Sequence, residues 1–460
     1  MSDFRETLYT IDARGRRKWV YAVEITGFFK KRRTAVATVL LLIYLSLPWI
    51  TISGSQAVFL DIQSRRFVFF GATFWATDTK FLVVLLVSLG LSLFFFTSLF
   101  GRIWCGWACP QTVFLEFLFR PIERFIEGPA TRRRSLDAEP WSMRKAQIKL
   151  LKYVAFATVA WIMASTLLAY FVGRQPLLAM MTDYPWHNWP TFLLTLFVMG
   201  AILFEFGWFR EQFCTVLCPY ARFQSVLLDD TSLVISYDSN RGEPRGKLVK
   251  GDQRSPAGDC IDCRLCVRVC PTGIDIRNGL QLECVQCAAC LDACDSIMTS
   301  VARPTGLIRY ATERGLRGEK VRILRPRVLI YGTILTALLT TFATLLSFRE
   351  LSGGAIFHSR ADALFSVQPN GSIQNHLTLH IENNSSEQRL FSVAVEDFKE
   401  LQLTMPLDPF PISPEASVQV PLFASFPPGA LVNGKRAVRI VLKDNAGFSK
   451  AFSIDLHGPG

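Results

Sequence analysis

All twelve cysteines of this 460-residue chain fall in tight groups, with none left over. Eight form two quartets: Cys260, Cys263, Cys266 and Cys270, followed by Pro271, then Cys284, Cys287, Cys290 and Cys294. Thiolates spaced Cys-x2-Cys-x2-Cys-x3-Cys are soft anionic donors that suit [4Fe–4S] clusters, which pass single electrons. In this pattern three close cysteines wrap one corner of a cluster, and the fourth ligand comes from the other quartet. Cys260, Cys263, Cys266 and Cys294 are therefore expected to hold one [4Fe–4S] cluster. Cys284, Cys287, Cys290 and Cys270 are expected to hold the other, close enough for fast electron exchange. Paired Cys-x2-Cys units also bind zinc, but two matched quartets weigh against a pair of zinc sites. Asp295 departs from the pattern, standing where proline usually follows the last cysteine.

The other four cysteines are Cys105/Cys109 and Cys214/Cys218, each pair spaced i, i+4 and followed by Pro110 or Pro219. On a helix this spacing puts both sulfurs on one face, and the proline suits a helix start or a kink. Four converging thiols would form a metal or redox site, so these are the candidate catalytic and metal-binding residues. Soft thiolates select Cu(I). A further iron–sulfur centre, zinc and a redox-active dithiol are alternatives, and free cysteine also packs well inside a helical bundle. Recurrence of the spacing and of the trailing proline favours a functional site. The two motifs, 104–110 and 213–219, read as a weak internal repeat, each leading into an amphipathic stretch, Val113–Ile126 and Ala221–Leu228. Glu116 and Glu205 are nearby polar groups, read as charges at an interface. His187, His358, His376 and His380 are scattered and take no role.

The elements that must position these residues are mostly apolar. Mean hydropathy is +0.27, and half of the residues are hydrophobic. The net charge of +12 could suggest nucleic acid, but the Lys and Arg residues flank apolar runs, the mark of a membrane protein. Membrane lipid is the expected surroundings, and no nucleic-acid partner is expected. Five runs, Ala35–Ser53, Phe81–Phe100, Tyr153–Gly173, Thr191–Phe209 and Val328–Phe348, are each long enough for a hydrocarbon core about 30 Å thick. The first lacks a small-residue cleavage site and reads as an anchor rather than a signal peptide. Lys and Arg counts in the short loops put the N-terminus, both cysteine pairs and the quartets on the cytoplasmic side of a bacterial inner membrane. That compartment keeps thiols reduced.

Beyond Phe348, period-two alternation in 376–382, 417–420 and 437–442 between turn residues predicts an antiparallel β-sandwich, read as a docking or structural domain. The fold class is thus a polytopic α-helical membrane protein with five spans, an inserted bacterial 2[4Fe–4S] ferredoxin-like domain and a C-terminal immunoglobulin-like β-sandwich. Its expected segments are a basic tail, 1–34; four spans carrying both cysteine pairs, 35–209; a cytoplasmic region, 210–327, with the ferredoxin at about 250–305; a fifth span, 328–348; and a periplasmic sandwich, 349–460.

This combination resembles the CcoG family, also called FixG or RdxA, accessory proteins of cbb3-type cytochrome c oxidase, over essentially the whole chain. The cysteine motifs alone are shared with membrane ferredoxins of the NapH and NosR type. The resemblance implies reduction of Cu(II) to Cu(I) for copper delivery during oxidase assembly. It implies copper ions, a copper chaperone, a copper-exporting ATPase and oxidase assembly factors as partners. The residues themselves point to electron transfer from an unidentified electron donor. A quinol-linked electron-transfer subunit is the alternative. So is a non-enzymatic assembly scaffold, which would have no need of redox ligands.

Overall fold

The computed structural model describes all residues except 1–13, 15–16, 53, 76–77, 248–257, 282, 323, 349–351, 360–363, 370, 384, 386, 415 and 460. Most of the basic tail and the start of the expected ferredoxin segment lie outside the described residues, as do Asn370 and Asn384 in the turns that flank the expected strand 376–382. The chain divides into two compact units: one built from 1–51, 56–65 and 79–342, the other from 52–55, 66–78 and 343–460.

Among the described residues, four helices are long and apolar enough to cross a membrane: Thr79–Phe100, Met143–Ala169, Trp189–Phe209 and Pro326–Ser347. Only 6–39% of each apolar stretch is buried within the protein, which leaves apolar side chains for a lipid-facing stripe. The helix Phe28–Ser46 differs from the run read in the sequence. It starts before the apolar stretch, on Lys30, Lys31, Arg32 and Arg33, and stops at Ser46, where Leu47–Trp49 tightens into a 3-10 turn around Pro48. Its apolar part, from Thr34 to Ser46, reaches only about 20 Å at 1.5 Å per residue.

The cluster segment has two short helices, Leu265–Arg268 and Ala289–Ser300, and a two-stranded ribbon of Val234–Tyr237 with Ile308–Ala311. Ile235, Ile274, Ile276, Leu291, Met298, Leu307 and Ile308 form its core, together with several of the cysteines. Asp295 lies inside the second helix, which runs on to Ser300. Proline there would clash with the preceding turn. The Asp295 carboxylate instead accepts a hydrogen bond from the Gly306 N–H at 2.8 Å, which accounts for its departure from the usual motif.

The second unit is a sandwich of two antiparallel sheets. One has the order Gln402–Thr404, Ala416–Phe426, Ile373–Asn383 and Ser352–His358, with Phe365–Val367 also paired to Ile373–Asn383. The other runs Phe410–Ile412, Arg389–Val395, Lys435–Asp444 and Ser449–His457. Alternate residues turn inward, and Leu377, Leu379, Ile381, Leu422, Ile440 and Leu442 are fully or almost fully buried between the sheets. This is the arrangement a half-buried period-two pattern produces.

Candidate functional site

Cys270, Cys284, Cys287 and Cys290 line one cavity. Cys260, Cys263, Cys266 and Cys294 line a second, and Cys266 borders both, so the cavities adjoin. The local backbone repeats. Asp262 and Arg264 in the first quartet, and Gln286 and Ala288 in the second, adopt left-handed φ of 50°, 56°, 54° and 60°. Each pair sits two and four residues after the first cysteine of its quartet. Alternating right- and left-handed residues aim successive N–H groups into a concavity, the nest that anionic clusters occupy. Eight thiols around two adjoining cavities with such nests fit two [4Fe–4S] groups. The surroundings differ: Cys263 is exposed, whereas Cys284 and Cys287 are buried.

The membrane motifs have matching geometry of another kind. Cys105 lies on the short helix Ile103–Trp107, and Cys109 is the residue before the helix Pro110–Phe114. Cys214 lies in the π-helical turn Phe213–Leu217, and Cys218 precedes the helix Pro219–Leu227. The two sulfurs of a pair therefore do not share one uninterrupted helix face, as the i, i+4 spacing suggests. The trailing proline is the reason: it disfavours helical backbone in the residue before it. Cys109 (φ −60°, ψ 127°) and Cys218 (φ −67°, ψ 110°) are extended, and each proline opens the next helix.

The fold gathers both pairs. Cys109, Cys105 and Cys218 all raise the charging cost of Cys214, and Cys109 and Cys218 do so for Cys105. Burial pushes the Cys105 thiol up to about 11, against partial relief from Arg102. Among the described residues, no three His, Cys, Asp or Glu side chains close around a single metal ion. The four thiols are neighbours. Gln224 steers Cys105, its Oε1 accepting from Arg102 Nε at 2.6 Å and from Cys105 Sγ at 3.5 Å.

Sequence reasoning missed the groups that hold the motifs together. Gln111, one residue past Pro110, donates to Glu205 at 2.6 Å and to the Arg210 carbonyl at 3.0 Å, tying the first motif to the second. Glu205 thus faces protein, and Glu116 pairs with Arg120. Arg210, at φ +53°, forks onto both oxygens of Glu123, at 3.2 and 3.0 Å. Arg133 and Lys152 reach the same carboxylate. Burial pushes the Glu123 carboxyl up, but Arg210, Lys152 and Arg133 outweigh it and hold it down at about 2. The signal for these partners was a set of charges beside apolar runs, which spacing alone does not pair.

The two sets of cysteines meet. Cys105 packs with Val285 and Cys287 of the second quartet's ligand loop. Gly106 lies so close to this loop that a Cβ would stand 2.5 Å from the Val285 carbonyl oxygen. Arg33 donates to the Gly106 carbonyl at 2.9 Å. Trp107 Nε1 donates to the Tyr310 hydroxyl at 3.3 Å, and that hydroxyl donates to the Gln286 carbonyl at 3.0 Å.

Residues 209–313 match a family described as a 4Fe-4S dicluster domain, and 81–129, which include Cys105 and Cys109, match a 4Fe-4S binding domain. Residues 342–459 match the IG-like fold at the C-terminal of FixG. Nitrogen fixation protein FixG of Rhizobium meliloti is 36% identical over 438 residues, covering 85% of this chain and 82% of that protein. Protein RdxA of Cereibacter sphaeroides is 35% identical over 430 residues, covering 89% and 90%. Protein RdxB of the same organism is 34% identical over 406 residues, covering 85% and 84%.

Proposed function

This chain belongs to the FixG family and is an iron–sulfur electron-transfer protein, and from that premise we propose that it reduces cupric ion at its four membrane-motif cysteines. The observation that carries this reading is the packing of Cys105 and Gly106 against the Cys284–Cys287 loop. This packing supports the reading, because it sets Cys105 against the loop that carries Cys284 and Cys287. When bound, the two clusters supply single electrons. The protein's own residues do the rest. Cys105, Cys109, Cys214 and Cys218 bind the copper; thiolate softness favours the Cu(I) product over Cu(II). Arg102 and Gln224 orient Cys105, which is buried, whereas Cys109, Cys214 and Cys218 are half-buried. One electron converts Cu(II) to Cu(I), which leaves by thiol exchange to a soft-ligand chaperone, for export and oxidase assembly. Five spans, with the N-terminus and both cysteine sets on the cytoplasmic side and the sandwich outside, complete this reading.

The match of 81–129 to a 4Fe-4S binding domain favours a second reading, in which the four membrane-motif cysteines hold a further iron–sulfur group. Cys105→Ala with Cys214→Ala in cluster-replete protein tests both. Loss of copper binding and cupric reduction, with iron unchanged at about eight atoms per chain, supports the copper site. A fall from about twelve to about eight supports the second reading. Unchanged copper binding and reduction overturns the first.

A further inference from the structure

A small cavity behind the second quartet is lined by Cys287 together with Lys30, Arg33, Arg120, Arg124 and Arg133. Three of these cations are matched by carboxylates: Arg120 pairs with Glu116 and Glu211, Arg124 with Glu24, and Arg133 with Glu123. Arg33 is held differently. It is only 3% exposed. Its Nε donates to the neutral Gly106 carbonyl at 2.9 Å, and its guanidinium lies 5.3 Å from the centre of the Phe117 ring. Lys30 Nζ stands 4.4 Å from the centre of the same ring. Gly106 in turn abuts the backbone of Val285 and Gln286, so the Arg33 charge is fixed against the segment that joins Cys284 to Cys287. The Asp292 carboxylate, on the helix that carries Cys290, is turned to the Phe29 and Lys30 N–H groups.

We propose that Arg33 is a potential-setting residue, whose buried charge holds up the reduction midpoint of the group ligated by Cys270, Cys284, Cys287 and Cys290. The inference rests on the electron-transfer reading above. A guanidinium keeps its proton at any working pH, and burying it is costly unless an anion stands near. The thiolates of the second quartet, with the group they ligate, are that anion. Reduction adds one negative charge there, and burial disfavours the more highly charged form. Cys263 is exposed, whereas Cys284 and Cys287 are buried. Burial alone would therefore make the second group the weaker electron acceptor, although it is the one beside Cys105. Glu283, buried next to Cys284 in the chain, works in the same direction. A fixed cation opposes both, because net charge around a cluster sets its potential. At the effective dielectric of a protein site, one charge about 10 Å away changes such an equilibrium by at least about tenfold. Arg33 thereby favours the passage of electrons toward Cys105.

The test is a redox titration of full-length, cluster-loaded protein in detergent with dithionite, each midpoint being read from its EPR signal. In Arg33→Gln one midpoint should fall by at least about 59 mV, the one-electron equivalent of a tenfold change. Cys263→Ser alters the group of the first quartet and so marks the signal that should not move. Arg33→Lys keeps the charge and should retain most of the wild-type midpoint. Lys30→Gln should lower the same midpoint as Arg33→Gln, which covers the case of an Arg33→Gln protein that fails to fold. Arg264→Gln removes a charge whose side chain is 70% exposed, next to Cys263 in the chain, and should leave that midpoint in place. The proposal is overturned by midpoints that stay unchanged in Arg33→Gln, by an equal fall in Arg33→Lys or Arg264→Gln, or by a fall confined to the signal that Cys263→Ser marks. Wild-type protein with no reducible iron–sulfur signal would undo the electron-transfer reading, whereas reducible signals indifferent to Arg33 would undo this assignment alone.

Discussion

Replacing Gly106 by alanine adds one methyl group where the two cysteine sets touch. The new Cβ would stand 2.5 Å from the Val285 carbonyl oxygen and 2.8 Å from that of Gln286. Both neighbours are backbone, so neither can swing aside as a flexible side chain would. Ordinary contact requires about 3.5 Å, so the ligand loop and the 103–107 helix must separate by about 1 Å. Overpacking of this kind costs about 1–3 kcal/mol, which a protein of this size survives. A misplacement of 1 Å between reacting groups costs up to about 100-fold in rate. The expectation is therefore folded, cluster-replete protein whose reduced clusters are reoxidised by cupric ion at least about tenfold more slowly, followed by stopped-flow absorbance. Gly200→Ala is the control, since its added Cβ meets nothing within 4 Å. Wild-type reoxidation by Gly106→Ala, with unchanged thermal stability, would show that the contact does not carry electrons.

Two further perturbations probe the frame. Glu123→Gln leaves Arg210, Arg133 and Lys152 buried without their shared anion and should lower stability by about 3–5 kcal/mol. The carboxyl is held at about 2, below its ordinary 4.5, so its contribution is complete above pH 4.5 and is lost as pH falls toward 2. The gap in thermal unfolding between wild type and variant should narrow across that window, and a constant gap would refute the pairing. Asp295→Pro should break the helix Ala289–Ser300 at a cost of about 3 kcal/mol, with loss of the clusters' visible absorbance. Full cluster retention would mean that an unbroken helix at Asp295 is dispensable.

Much of this was written in the cysteine spacing, because ligand number and loop length constrain a cluster site locally. The family and the IG-like domain were legible for related reasons: motif order and period-two alternation are local patterns. Local patterns also misled. The i, i+4 spacing of Cys105 and Cys109 suggested one helix face, and the proline that breaks the helix was read as compatible with it. The apolar run 35–53 suggested one continuous helix, but Pro48 stops it early. Glu123 and Arg210 lie 87 residues apart, and Gln111 and Arg210 lie 99 apart. Pairs at such separations leave no period for a sequence to display, and only the folded chain reveals that they brace the two motifs against each other.

The helix Phe28–Ser46 begins with backbone N–H groups that no side chain of its own caps. The donors of Phe29 and Lys30 are taken up by the two oxygens of Asp292, at 3.1 and 2.8 Å, on the helix that also carries Cys290 and Cys294. The acceptor that finishes the first helix is thus made 263 residues after the donor it satisfies. A ribosome releases the start of this protein long before its end, and during that interval the helix stands open at its N-terminus. Closing it requires the helix Ala289–Ser300, which bears Cys290 and Cys294, to be in place. The first apolar helix and the last ligand helix are therefore joined at one carboxylate, so neither end is complete until both parts of the chain have been made.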